Sequence, residues 1–366
     1  MPKPAHLASA STGRRRSAMR DDAQGLESLL ADFAQRDNPQ VSAAPLRDAM
    51  LRCLNSGLDQ LPLPGGGHTL ERWRQLATVA GVDLALLKLY EGHTDALAIL
   101  HELRANELNA APFEAPGIWG VWAAEPPDAK VGVSQRHGNK VRLNGRKAWC
   151  SGAQQLDYAL LTAWASDEAP QLVAVDLKQP GVRFSSETWQ AVGMAGTASG
   201  DVHFDVAVGI CVGDNGDYLT RPGFWQGGAG IAAAWYGAAV ALAKTLRAHR
   251  HNGRPEPHAD AHLGSVDAAL CGAAAALREC AEWIDAHPHK DASLPVQRLR
   301  AQVEMAVEQV CRHVGRALGA TPFCRDPHFA RLAADLQVFI RQSHAERDLA
   351  HLGQRVATGE TEDWSL

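Results

Sequence analysis

From Asp21 onward, apolar residues recur three and four positions apart: Leu26, Leu29, Leu30 and Phe33, then Leu46, Met50, Leu51 and Leu54. Such spacing lays one apolar stripe along a helix, and it predicts helices through this stretch. Pro62 to Gly67, with Pro64-Gly65-Gly66-Gly67, reads as a loop, after which Thr69 is placed to cap a helix beginning near Leu70. Helices are expected over Leu70 to Ala80, Asp83 to Tyr90 and His93 to Asn106. At about Ala111 strict alternation replaces helical spacing. Short strands are expected at Ile118 to Ala124, Val131 to Ser134, Val141 to Leu143, Arg146 to Cys150, Tyr158 to Trp164, Leu172 to Asp176, Val182 to Ser185 and Val202 to Val206. From Gly227 the helical period returns. Gly227-Gly228-Ala229-Gly230 leads into a helix over Ile231 to Arg250, followed by His262 to Ala286, Pro295 to Leu318 and His328 to Val356.

This order predicts an α+β multidomain chain. An N-terminal α-helical domain occupies residues 21–112, a middle small β-barrel or sandwich 113–215, and a C-terminal four-helix bundle 216–366, behind a disordered tail over 1–20. Helix-free turns between closely spaced strands argue against a βαβ sheet.

Composition narrows the function classes. The net charge of −5 is mild and the only strong basic run is Arg14-Arg15-Arg16, so nucleic acid is not an expected partner. Seven cysteines, with no C-x-x-C pair, indicate neither a disulfide framework nor a zinc knuckle and suit a reducing cytoplasm. No stretch approaches the ~20 unbroken apolar residues of a membrane span. Neither G-x-G-x-x-G after a strand nor G-x-x-x-x-G-K-[ST] occurs. His344, Asp348 and His351 share a helical face, but a solvated stripe explains them better than a metal, and no metal is expected.

The stretch Lys140 to Gly152, K-V-R-L-N-G-R-K-A-W-C-S-G, stands out. Asn144-Gly145 predicts a tight hairpin turn, and the returning strand would carry Trp149 and Ser151 on one face. An indole beside a hydroxyl suits the edge of a planar cofactor. It equally suits a tryptophan packed in a β core with a serine at a strand end.

Several stretches together resemble the acyl-CoA dehydrogenase superfamily. Asp83-Leu84-x-Leu86-x-x-Leu89-Tyr90-Glu91-Gly92-His93 is similar to the family's entry to the helix lining the substrate tunnel. Trp122-Ala123-Ala124-Glu125-Pro126 resembles the stretch that meets the flavin pyrimidine. Leu143-Asn144-Gly145-x-Lys147-x-Trp149-x-Ser151 matches L-N-G-x-K-x-W-x-[ST], and Gly193-Met194-x-Gly196-Thr197 with Val202 to Val208 resembles the later strands. The resemblance implies an FAD-dependent oxidoreductase, a homodimer or homotetramer, with Trp149 against the isoalloxazine ring and Ser151 at flavin N5. Trp122 and Ala124 would join them in cofactor binding. Arg316 and Gly319, in a segment similar to the family's Q-x-x-G-G, would reach the adenosine half of FAD across a subunit interface.

The chain also departs from the pattern. Pro127-Asp128-Ala129-Lys130 replaces a Gly-rich loop bearing Ser, and Gly227-Gly228 stands where an Arg for the pyrophosphate is expected. The glutamate that removes the α proton of an acyl thioester falls on Ser343, which cannot act as that base, leaving His344 or Glu346 as substitutes. The expected reaction is α,β-dehydrogenation of an acyl-CoA or related small molecule, with the electron acceptor open. The alternatives are a flavin-dependent monooxygenase, a branch that lacks the glutamate, keeps a Ser near N5 and uses a His, and a flavoprotein that has lost turnover.

Overall fold

The computed structural model describes residues 23–35, 43–103, 113, 115–166, 168–359 and 364; the tail expected to be disordered lies outside them. Helices open the chain: α1 over residues 23–35, α2 (Ala43–Asn55), α3 (Thr69–Val82) and α4 (Leu84–Glu102). The first apolar stripe becomes a buried row of Leu26, Leu30 and Phe33, as hydrophobic burial requires. Thr69 is the first residue of α3 rather than its cap. Its backbone N–H (3.0 Å) and hydroxyl (2.6 Å) both donate to the Asp285 carboxylate, a cap supplied from a distant helix. Asp83 caps α4 by accepting from the Leu86 N–H at 2.8 Å, and α4 runs unbroken through Glu91-Gly92, where the sequence predicts two helices.

Among the described residues seven strands follow: β1 (Trp119–Trp122), β2 (Val131–His137), β3 (Lys140–Lys147), β4 (Tyr158–Ala163), β5 (Gln171–Asp176), β6 (Val182–Ser185) and β7 (Asp201–Val212). They form one sheet in the order β1-β4-β5-β7-β3-β2, with β6 on β7, and only β1 and β4 pair in parallel. The sheet curls back on itself. Val133 N–H donates to Trp164 O at 2.8 Å and Trp164 N–H to Val131 O at 2.9 Å, so β2 closes against the end of β4 as a small barrel.

The Asn144-Gly145 hairpin is overturned. β3 passes straight through both residues, pairing with β2 on one side and β7 on the other, and the chain reverses between β2 and β3 at His137 to Lys140. The register between β3 and β7 slips between Leu143 and Gly145, where β7 carries the extra residue around Asp205 and Val206 (φ 55), so the dipeptide lies opposite a bulge in its partner strand. Gly145 has φ +121, and the Asn144 side chain accepts from Val206 N–H at 2.9 Å and donates to Ser134 Oγ at 2.7 Å. The tolerance for positive φ that marks a turn here serves an interior kink.

The C-terminal part contains a short α5 (Asp217–Thr220), three long helices, α6 (Gly223–Asn252), α7 (Pro257–Ala286) and α8 (Ser293–Leu318), then α9 (Thr321–Arg325), α10 (Pro327–Phe339) and α11 (Glu346–Ala357). The glycines at 227, 228 and 230 lie inside α6 instead of leading into it. The helix expected over His328 to Val356 is broken between α10 and α11, at the residues singled out for catalysis. By length and mean hydropathy (1.3), α6 could cross a membrane, but 72% of its apolar window is buried inside the protein, which marks it as the core helix of the bundle. Its Trp235 belongs to one apolar core that runs from Leu26 of α1 through the sheet to Phe339 of α10.

Candidate functional site

A cavity of about 570 Å³ opens between α4, α6, α8, α11 and the outer face of β1. Each helix contributes residues three and four apart, the spacing that shares one helical face. From α4 come Lys88, Glu91, Gly92 and Asp95; from α6, Phe224, Trp225, Gly227, Gly228 and Ile231; from α8, Gln297, Arg300, Ala301 and Glu304. In β1 the two-residue period points Val121 into the cavity, and Ala123 just past its end follows, while Trp122 faces the opposite way. Ala124 is half-buried and does not line the cavity.

The walls carry charges of both signs, most of them paired. Lys88 Nζ lies 2.9 Å from Glu91. Arg221, at the start of α6, holds Glu102 at 2.7 Å. Arg300 is half-buried and donates to the Gly228 (2.7 Å) and Gln342 (3.1 Å) carbonyls, its guanidinium 4.7 Å from the Trp235 ring centroid. Burial pulls the pKa of Arg300 down, partly offset by Asp348 and Glu304. Tyr218 is buried beside Asp95 and Arg221, and its phenol is pushed up, chiefly by burial.

Ser343 and His344 reach the cavity, whereas Glu346 is exposed in the first turn of α11 and is not among its lining residues. Ser343 occupies the break between α10 and α11, where its hydroxyl donates to Glu304 at 2.5 Å and accepts from Ala345 N–H at 2.9 Å. Asp348 accepts from His344 N–H at 3.0 Å, and His344 Nδ1 lies 3.4 Å from the same carboxylate. Asp348, in the first turn of α11, thus ties down the backbone at His344 just ahead of the helix. Among the described residues no cluster of three metal-ligating side chains occurs.

Of the cofactor residues predicted in the middle of the chain, Trp122 and Ser151 line a small pocket together with Lys88, Gly92 and Val121 of the cavity wall. Trp122 is buried, and its indole N–H donates to Ser151 O at 3.2 Å. Trp149 and Ser151 lie beyond the end of β3, in a turn where Ser151 N–H donates to Trp149 O at 3.0 Å, so a turn and not strand periodicity brings them together. Trp149 sits at φ 56 and is 59% exposed. A large apolar ring held bare in a strained conformation is a surface made to be covered. Ser151 Oγ is 2.8 Å from Ser199 Oγ, which is 2.8 Å from Thr197 Oγ1, which donates to Met194 O at 2.8 Å. This bare indole beside an ordered hydroxyl fits a flavin ring and its N5 edge. Arg316 is exposed at the end of α8, and Gly319 (φ 63) terminates that helix; neither lines the cavity of its own chain.

The Glu of the E-P stretch and the Lys of the L-N-G-x-K stretch meet each other. Lys147, fully buried, places its ammonium 2.9 Å from Glu125 and 2.7 Å from Thr162 Oγ1, and Trp164 donates to Glu125 at 2.5 Å. Burial opposes the Glu125 charge, but bonds from Thr162 and Lys147 outweigh it and hold the carboxylate below its usual range. The pair buttresses the strand ends that carry Trp122 and Trp149. Sequence reasoning missed Asp95, Gln297, Arg300 and Glu304; the polar spacing Lys88, Glu91, Asp95 on an otherwise apolar helix was the available signal.

Comparison with known proteins agrees with this architecture. The sequence profile of the acyl-CoA dehydrogenase middle domain matches residues 127–207. No curated protein sequence matches the chain. Among solved structures, TdsC from Paenibacillus sp. A11-2, a dibenzothiophene monooxygenase seen with FMN and indole, superposes with a TM-score of 0.79 at 19% identity, covering 94% of this chain and 99% of that one. Methanesulfinate monooxygenase MsuC from Pseudomonas fluorescens gives 0.74 at 16% identity, over 93% and 98%. KijD3, in complex with FMN and a dTDP-amino-keto sugar, gives 0.74 at 17% identity, over 99% and 96%. Residues 127–207 are thus similar to the acyl-CoA dehydrogenase middle domain, and the chain as a whole shares the α+β fold of these flavin-binding structures.

Proposed function

We propose that the chain is a flavin-dependent monooxygenase acting on a small molecule in the 570 Å³ cavity. The observation that carries this reading is the loop between α10 and α11. It offers the cavity Ser343, engaged with Glu304, and His344, but no carboxylate. A bound flavin would supply the electron transfer and the reaction with oxygen. Trp149 would cover one face of its ring and Ser151 would define the N5 edge; FAD is the form implied by the resemblance, while TdsC and KijD3 hold FMN. Asp348 engages Nδ1 of His344, leaving Nε2 to hold or release a proton. Arg316 and Gly319 would meet the cofactor only from a neighbouring subunit, which makes a homodimer or homotetramer part of the proposal.

Acyl-CoA dehydrogenation is the second reading. It requires a base; of the two substitutes the sequence offers, His344 lines the cavity and Glu346 does not, and the helices add the carboxylates of Glu91, Asp95, Glu304 and Asp348. Oxygen uptake with supplied reduced FMN or FAD, set against anaerobic titration of the flavin-loaded protein with acyl-CoAs, separates the two. Uptake above that of free reduced flavin, with no bleaching by acyl-CoA, is expected. Bleaching by an acyl-CoA would replace monooxygenation with dehydrogenation.

A further inference from the structure

The cavity contains one carboxylate that the protein leaves without a hydrogen bond. Glu91 is held by Lys88 at 2.9 Å, Glu304 by Ser343 at 2.5 Å, and Asp348 accepts from His344 N–H at 3.0 Å. Asp95, on the same face of α4, has only Arg72 at 4.0 Å and accepts no hydrogen bond among the described residues. It is 19% exposed, so the carboxylate is open to the cavity. Directly across, a Cβ on Gly227 of α6 would lie 2.9 Å from Asp95 Oδ1, so the glycine keeps that oxygen uncovered. On a second wall, α8, the Gln297 side chain lines the cavity, is 8% exposed, and its buried Oε1 has no hydrogen-bond partner among the described residues.

Unpaired acceptors in a half-buried site call for a ligand that donates. A cation is the poorer candidate, because Arg72, Arg221 and Lys88 already oppose Asp95, Glu102 and Glu91, and an added positive charge would upset that balance. Phe224, Trp225 and Tyr218 around this end of the cavity provide flat apolar walls. We propose that Asp95 is the recognition carboxylate of this cavity and that the substrate is a neutral planar molecule presenting a ring N–H or phenolic O–H to it. The inference rests on the cavity being the substrate site of the proposed oxygenase.

Isothermal titration of the full chain tests it, with and without FMN or FAD, using two matched pairs: indole against 1-methylindole, and 2-naphthol against 2-methoxynaphthalene. The donor of at least one pair is expected to bind about tenfold more tightly than its methylated partner. That preference should vanish in Asp95→Leu and shrink in Asp95→Asn, whose amide oxygen still accepts. Equal affinities within both pairs, no measurable binding of any of the four compounds, or a preference that survives Asp95→Leu would overturn the proposal. The wild-type comparison stands even where Asp95→Leu does not fold. Intact flavin uptake without donor preference defeats this inference alone; donor preference without flavin uptake defeats the flavin reading alone.

Discussion

Asp335 on α10 is buried, and its carboxylate accepts from Met194 N–H at 2.5 Å, pinning the loop that carries Thr197 and Ser199 to the helical bundle. Burial, with a smaller push from Asp83, raises its pKa from 3.8 to about 6 despite the Met194 bond. The folded form therefore keeps a proton that the unfolded chain releases. The associated stability is complete below about pH 4 and is lost as pH rises through about 6. A rise of that size corresponds to about 3 kcal/mol. Asp335→Asn keeps an acceptor for Met194 and removes the titration, so its stability relative to wild type should grow by up to that amount between pH 4 and pH 7 in chemical denaturation; a difference that stays constant with pH would refute the assignment. At Trp149, 59% exposed, the indole has no packing role to lose. Trp149→Ala should leave the melting temperature of the flavin-free protein unchanged and weaken flavin binding about tenfold, read by flavin fluorescence, as expected for loss of one stacking face.

At the scale of the element, β3 shows how a correct residue preference can be assigned to the wrong structure. Gly145 does need positive φ, as the hairpin reading holds, but Asn144 does not, and the need arises opposite a bulge, inside a strand paired on both sides. A Cβ on Gly145 would collide with the Lys130 carbonyl at φ +121. Gly145→Ala is thus expected to destabilise the fold by about 2–4 kcal/mol, seen as a lower urea midpoint, whereas a loop-end turn would tolerate the change far better. The break between α10 and α11 has the opposite origin. No proline or glycine stands there; Ser343 is drawn to Glu304, and Arg300 takes the Gln342 carbonyl. Side chains of α8 divide a stretch whose own periodicity reads as one helix.

Across the whole molecule, the cavity exists only where the helical parts and the sheet meet. α4 comes from the first helical stretch, β1 from the sheet, and α6, α8 and α11 from the last. One continuous apolar core joins all three, so the distance between Asp95 on α4 and Gly227 on α6 is set by packing far from both. The same packing brings Ser151 into a small pocket with Lys88, Gly92 and Val121, which also line the cavity. Trp122 reaches toward Ser151 while Val121 and Ala123 face the cavity.

The sequence by itself determined the helix–sheet–helix order, because hydrophobic periodicity is a local property that switches from 3.6 to 2 and back. It also marked Trp149, Ser151 and His344, whose residue types in short motifs carry their own chemistry. Only the tertiary structure decided that Glu125 and Lys147 satisfy each other, that Glu346 lies outside the cavity, that α11 starts anew after Ser343, and that Asp95 accepts no hydrogen bond among the described residues. Each of these depends on which groups lie within hydrogen-bond reach across tens or hundreds of residues, and local spacing carries no information about such distances.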